Sequence, residues 1–280
     1  MARGSVRHSF MILVFIGIFT FTILFGFPFL KKKYGVPEDV LERIKQASIE
    51  IKQKQNEQLT IGSTANIPDH VIKLWMKRGE EGRLEKFILE IFQIKDQRLL
   101  LLTIPETTRV TMSNELYQQM QAEESFLPQM LTFQTISDHF PPGKAEKFAA
   151  TLTEEFLDIH LDSYAAVTDS WIDSFLTPIQ DGAEEFYQLS DSMKEKMKEP
   201  VTIRKTKQHM EQMYADLGCF FSQEIESVIP YLEAYEALKP TDISAQLLPG
   251  EHTNSAYLPE IIKAKQKIYE YQISEKVGQK

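Results

Sequence analysis

FILEIFQIKDQRLLLLTI, residues 87–104, holds two short apolar runs, 87–94 and 99–104, split by Lys95-Asp96-Gln97-Arg98. Runs this short, with so charged a break, suit two buried strands and a tight turn better than one helix. Pro105 ends the second strand, because proline has no N–H to give a ladder. Downstream, helical stretches are expected at 115–121, 129–138 and 144–157, with Pro141-Pro142-Gly143 separating the last two. A strand is expected at 164–167 and a short helix at 170–176, where Trp171 and Phe175 stand four apart. A polar helix at 183–198, a strand at 201–203 and a long helix at 225–238 follow. A strand at 243–248 and a helix at 259–271 close the chain. Strands alternating with helices predict an α/β fold, a mixed sheet flanked by helices.

Upstream lies a different kind of sequence. Residues 10–30 form an uncharged run of 21 residues rich in Phe, Ile and Leu. As a helix it would extend about 31 Å, the thickness of a bilayer's hydrocarbon core. A cleavable signal would have a shorter apolar core ending in small residues. This run ends in Phe27-Pro28-Phe29-Leu30 and three lysines, so residues 1–33 are expected to be an uncleaved N-terminal transmembrane anchor. Arg3 and Arg7 on one flank nearly balance Lys31, Lys32 and Lys33 on the other, so charge does not choose the orientation. Residues 37–58 read as a juxtamembrane helix with Val40, Ile44, Ala47 and Ile51 in a narrow stripe, and 60–68 as a turn-rich linker. The expected organisation is therefore anchor 1–33, helix and linker 34–68, and α/β body 69–280.

The 280 residues are 42% hydrophobic and 25% charged, which fits a globular body and argues against wholesale disorder. The net charge is −9, but residues 1–33 hold five basic and no acidic side chains, leaving 26 basic against 40 acidic beyond them, or −14. A body that acidic is a poor partner for nucleic acid. A single cysteine, Cys219, excludes an internal disulfide and any multi-cysteine metal site. No phosphate-binding glycine loop, HExxH pair or GxSxG elbow is present. The six histidines are scattered, and neither Asp138-His139 nor Asp158-x-His160 has a nucleophile to serve.

Four segments resemble one family. Arg83-Leu84-Glu85-Lys86-Phe87 and then Thr103-Ile104-Pro105-Glu106-Thr107-Thr108-Arg109-Val110 are similar to the R-S-D-T-M and S-I-P-R-D-T-R-V motifs of LytR–CpsA–Psr (LCP) proteins. Residues 157–167, LDIHLDSYAAV, resemble the family's L-G-I-x-I-D-x-Y-V-x-V, with Trp171 and Phe175 at its next helix. Residues 238–250 resemble its final helix, strand and L-P-G. The likeness runs loosely from about residue 80 to 260. It implies α-β-α layers, a cytoplasmic N-terminus, a single membrane pass through 10–30 and an extracytoplasmic body. It also implies transfer of glycopolymers from a polyprenyl diphosphate carrier to peptidoglycan, assisted by Mg²⁺. Such chemistry needs arginines on the diphosphate oxygens and carboxylates on the metal.

On that pattern Arg83 and Arg109 match diphosphate-binding arginines, and Glu85 stands where the family has a metal-binding Asp. Glu106 replaces an arginine, and Thr107 replaces the second carboxylate. After Ile179 the family inserts several dozen residues ending in an arginine-bearing strand and helix, whereas here Gln180-Asp181-Gly182 leads straight to Ala183-Glu184-Glu185. Each lost charged contact is worth about 1.5–3 kcal/mol, so the loss of most of a clamp predicts loss of transfer. Three functions follow. One is an LCP-like protein of envelope assembly without transferase activity, in a structural, regulatory or lipid-diphosphate-binding role. Another is a divergent transferase using Arg83, Arg109, Glu85 and Arg204 or Lys205, with Mg²⁺ needed only in that case. The last is a membrane-tethered interaction module. The partners expected are the membrane and either carrier-linked glycopolymer or peptidoglycan assembly proteins.

Overall fold

A computed structural model describes residues 69–199 and 203–272; the anchor, the juxtamembrane helix and the linker lie outside them. Among the described residues no helix is long and apolar enough to cross a membrane. The chain begins with β1 (His70–Arg78), β2 (Leu84–Gln93) and β3 (Arg98–Ile104), an antiparallel meander. The β2–β3 hairpin is the one expected from the apolar runs, and Gln97 takes the left-handed position its turn requires (φ 51°). After β4 (Arg109–Thr111), α1 (Asn114–Gln121) and β5 (Met130–Thr132) come α2 (Ile136–His139) and α3 (Lys144–Leu157). β6 (Ser163–Thr168) runs parallel to β1, and α4 (Asp169–Phe175) leads into the hairpin β7 (Leu176–Asp181) and β8 (Glu184–Leu189). α5 (Asp191–Lys196), α6 (Ile203–Ala215), β9 (Phe220–Phe221) and α7 (Leu232–Ala237) precede β10 (Ile243–Leu247), which pairs parallel to β3. β11 (Gly250–His252), β12 (Tyr257–Pro259) and α8 (Ile261–Gln272) complete the body.

The central sheet has the order β10-β3-β2-β1-β6-β9, mixed in direction and packed on both faces. Alternation along the strands builds two cores. Phe87, Leu89, Ile91, Leu100, Leu102 and Ile104 face α3 and α8, where Phe133 meets Phe87 edge-on at 4.8 Å. Ile88, Phe92, Leu99 and Leu101 face the other way, toward Ile172, Met213 and Leu238. Double-sided burial explains why β2 and β3 read as nearly continuous apolar runs.

Several expected elements differ. Residues 129–138 form β5, a 3-10 turn and the start of α2 rather than one helix. The polar helix at 183–198 is instead strand β8 followed by α5, because Gly182 adopts φ 63° and turns the chain back into a hairpin. Residues 201 and 202 lie outside the described residues, and Ile203 opens a helix rather than ending a strand. Pro230 breaks the long helix at 225–238 into two 3-10 turns and α7.

The ribbon β11–β12 braces the segment after β3. Tyr257 N–H donates to Thr107 O at 3.1 Å, and Thr108 bridges to Tyr257. A Cβ on Gly250 would stand 2.5 Å from Leu258 O and 2.9 Å from Pro259 Cα, both backbone atoms that cannot swing aside. Gly250→Ala is therefore expected to cost about 1–3 kcal/mol, measured by urea unfolding, with backbone amide shifts at 107–109 in NMR spectra.

Candidate functional site

β1, β6, β3 and β10 point the same way, so their carboxyl ends share one edge of the sheet. Such an edge is where open α/β sheets offer a crevice. The end of β1 brings Lys77 and Arg78, the start of β2 brings Glu85 and Lys86, and the chain leaving β3 brings Glu106 and Thr107. β6 delivers Asp169 at the start of α4. β8 folds over this edge, its Tyr187 N–H donating to the buried Thr103 hydroxyl at 2.9 Å.

These residues pair with one another. Lys77 Nζ lies 3.1 Å from Asp169 and 3.4 Å from Glu85. Lys86 Nζ lies 3.4 Å from Glu106 and 4.0 Å from Glu185. Thr107 donates its hydroxyl to Glu184 Oε1 at 3.2 Å, and His252 Nδ1 meets the same oxygen at 2.6 Å. Partial burial works to lower the Lys77 pKa, but the hydrogen bonds and charges of Asp169 and Glu85 outweigh it and hold the value above the usual lysine range. Tyr187 is pushed up to about 12, chiefly by burial, with Glu185, Asp173 and Glu106 adding to the shift against Lys77. Its phenol is a proton donor at neutral pH, not a nucleophile.

The two arginines go elsewhere. Arg83 pairs with Asp138 of α2 at 2.7 Å, half exposed, beside a polar cleft of about 190 Å³ that includes Ser137 and His139. Arg109 on β4 donates to Ser255 Oγ at 3.3 Å. They share no partner. Lys205 lies on α6, and the side chain of Arg204 lies outside the described residues. Glu85, Glu106 and Thr107 thus gather on one edge, while Arg83 and Arg109 are each drawn into a local contact. Sequence reasoning missed Lys77, Asp169, Glu184 and His252. Only the order of the motifs hinted at them, since Lys77 lies six residues before Arg83 and Asp169 directly after β6.

No family model matches the chain, and no curated protein matches it. Solved structures do. TagV of Bacillus subtilis, 14% identical, superimposes with a TM-score of 0.50 over 73% of this chain and 97% of its own. A Streptococcus agalactiae protein, 12% identical, reaches 0.51 over 73% and 88%. TagV is an LCP-family protein. The chain has an LCP-like fold.

On this LCP-like frame Glu85 can be tested as a metal ligand. Mg²⁺ demands near-octahedral oxygens at about 2.1 Å. Glu85 has an ammonium at its carboxylate instead, and Thr107, in place of a second carboxylate, spends its hydroxyl on Glu184. Among the described residues, no group of three or more His, Cys, Asp or Glu side chains is placed to hold a metal. The residues at this edge do not fit Mg²⁺.

The edge suits a diphosphate no better. Two lysines face four carboxylates, a net −2 before Glu184 is counted. One uncompensated carboxylate 4 Å from a phosphate oxygen costs about 4 kcal/mol at an effective dielectric of about 20. The arrangement ties strands together by charge.

Proposed function

We propose that this is a membrane-anchored, extracytoplasmic LCP-like protein of cell-envelope glycopolymer assembly that carries out no transfer itself. Its role is structural, regulatory or in binding the lipid-linked precursor away from the charged edge. The envelope role is supported by the LCP-like fold together with the four motifs in order. The absence of transfer is supported by one observation above all. Glu106, at a position where the family places a cation, is held against Lys86 and leaves no positive charge to spare. Anchoring is supported by the uncharged run at 10–30.

The test uses the full chain in detergent with a polyprenyl diphosphate-linked glycan, peptidoglycan and Mg²⁺. Transfer should stay at the no-protein background, and Glu106→Arg alone should not raise it. Transfer above background that vanishes in Arg109→Ala would overturn the proposal in favour of the divergent enzyme. Protease added to intact spheroplasts should digest residues 69–280; a protected body would overturn the topology.

A further inference from the structure

Lys77 and Lys86 stand directly opposite each other across the β1–β2 ladder. Like charges so placed destabilise a sheet unless each finds carboxylates. Lys77 finds two, from different elements: Asp169 at the head of α4 and Glu85 at the start of β2. The lysine side chain is only 17% exposed, against 58% and 42% for the two carboxylates, so the cation is the fixed member of the group. Gly79 makes room for it. A Cβ at that position would lie 1.8 Å from Glu85 Oε1, so the glycine lets the Glu85 carboxylate fold back over the end of β1.

We infer that the Lys77 ammonium is the built-in cation of this edge, standing where a divalent metal would sit between Glu85 and Asp169 and keeping metal out. Two carboxylates from separate elements converging on one point form the kind of anionic centre that attracts a divalent ion. Here that point is occupied by a tethered monocation with three N–H donors, which satisfies oxygens of both groups without exchange. A metal about 2.1 Å from the same oxygens would press against a like charge that has nowhere to go. Lys77 therefore holds its single positive charge between the two carboxylates at every metal concentration, and β1, β2 and α4 stay tied whether or not Mg²⁺ is present. The inference stands on the geometry of Lys77, Glu85, Asp169 and Gly79 and is independent of the proposed role in the envelope.

The experiment titrates the full chain with Mn²⁺, following loss of the free aquo-ion signal by electron paramagnetic resonance, with Mg²⁺ as competitor. Wild type and Lys77→Arg should leave the ion free. Lys77→Ala should bind about one equivalent, about tenfold or more tighter than wild type, because the two carboxylates then lack a counter-charge. Adding Glu85→Gln to that variant should abolish the gain, and adding Gly79→Ala should weaken it. Should Lys77→Ala not fold, Lys77→Gln replaces it. Two results would overturn the inference: wild-type Mn²⁺ binding that Glu85→Gln removes, or a folded Lys77→Ala or Lys77→Gln that takes up no more Mn²⁺ than wild type.

Discussion

Arg78→Met should lower the stability of the body by about 3–5 kcal/mol, a loss of roughly 10 °C in Tm. Arg78 ends β1 and donates to Glu146, whose side chain is fully buried at the start of α3. The same guanidinium donates to Gly218 O at 3.2 Å, and Glu146 also accepts the Gly143 N–H ahead of its helix. One ion pair thus joins a central strand, a core helix and the loop before β9. Methionine fills much of the arginine's volume but leaves Glu146 as a buried charge with one backbone donor. Most of the loss comes from that stranded carboxylate, because removing one partner costs far more than the intact pair contributes. Arg78→Met/Glu146→Leu should therefore recover a large part of it, and Glu146→Gln alone should cost less than Arg78→Met. Chemical denaturation of all four proteins checks the series; equal losses in Arg78→Met and the double variant would show that packing, not charge, is at stake.

The sequence was most legible where both faces of an element are apolar. β2 and β3 announced themselves because every residue from Phe87 to Phe92 except Glu90 feeds one of the two cores. α3 was legible through its own apolar periodicity and the Pro-Pro-Gly break before it, and its expected bounds match the observed ones. β1 was not anticipated, although it lies at the middle of the sheet. Its alternation is interrupted by Lys73 and Lys77, and nothing local says that one lysine is buried and the other clasped by carboxylates. The β7–β8 hairpin was missed for a related reason. Glu184, Glu185 and Gln188 look like a solvated helix face until β8 is seen to pack on β3. At the candidate site, the motifs named Glu85, Glu106 and Thr107, which the fold brings to one edge, and Arg83 and Arg109, which it does not. The partners came from strands and helices far apart in the chain: Asp169 lies 92 residues from Lys77 and Glu184 lies 77 from Thr107. No local pattern carries that information.

Glu90→Ala should be as damaging as Arg78→Met, and its rescue has the opposite logic to ordinary repacking. Glu90 lies on β2 directly across from Lys73 on β1, with both side chains buried. Its carboxylate accepts from Trp75 Nε1 at 2.8 Å and from the Tyr235 hydroxyl, while Lys73 Nζ sits 4.9 Å from the Tyr235 ring centre. Burial dominates the Lys73 pKa and lowers it below the usual lysine range, against the opposing charges of Glu90 and Asp162. Burial and Glu90 together raise the Tyr235 phenol well above its ordinary value, so it remains a donor. Alanine at 90 would strand an indole N–H, a phenol and an ammonium at once, a cost of about 3–5 kcal/mol. Adding Lys73→Met to Glu90→Ala should then regain stability, since a buried ammonium with no counter-charge is the most expensive of the three orphans. The linkage has a definite sign. A lysine whose folded pKa is lowered binds fewer protons in the folded state, so its penalty is full below the folded pKa and fades as pH rises from there to 10.5. Between pH 7 and 10.5, wild type should gain stability relative to Lys73→Met, with other titrations cancelling in the difference. A flat difference across that range would mean Lys73 is not held in a desolvated site, and the polar seam through the middle of this apolar sheet would need another explanation.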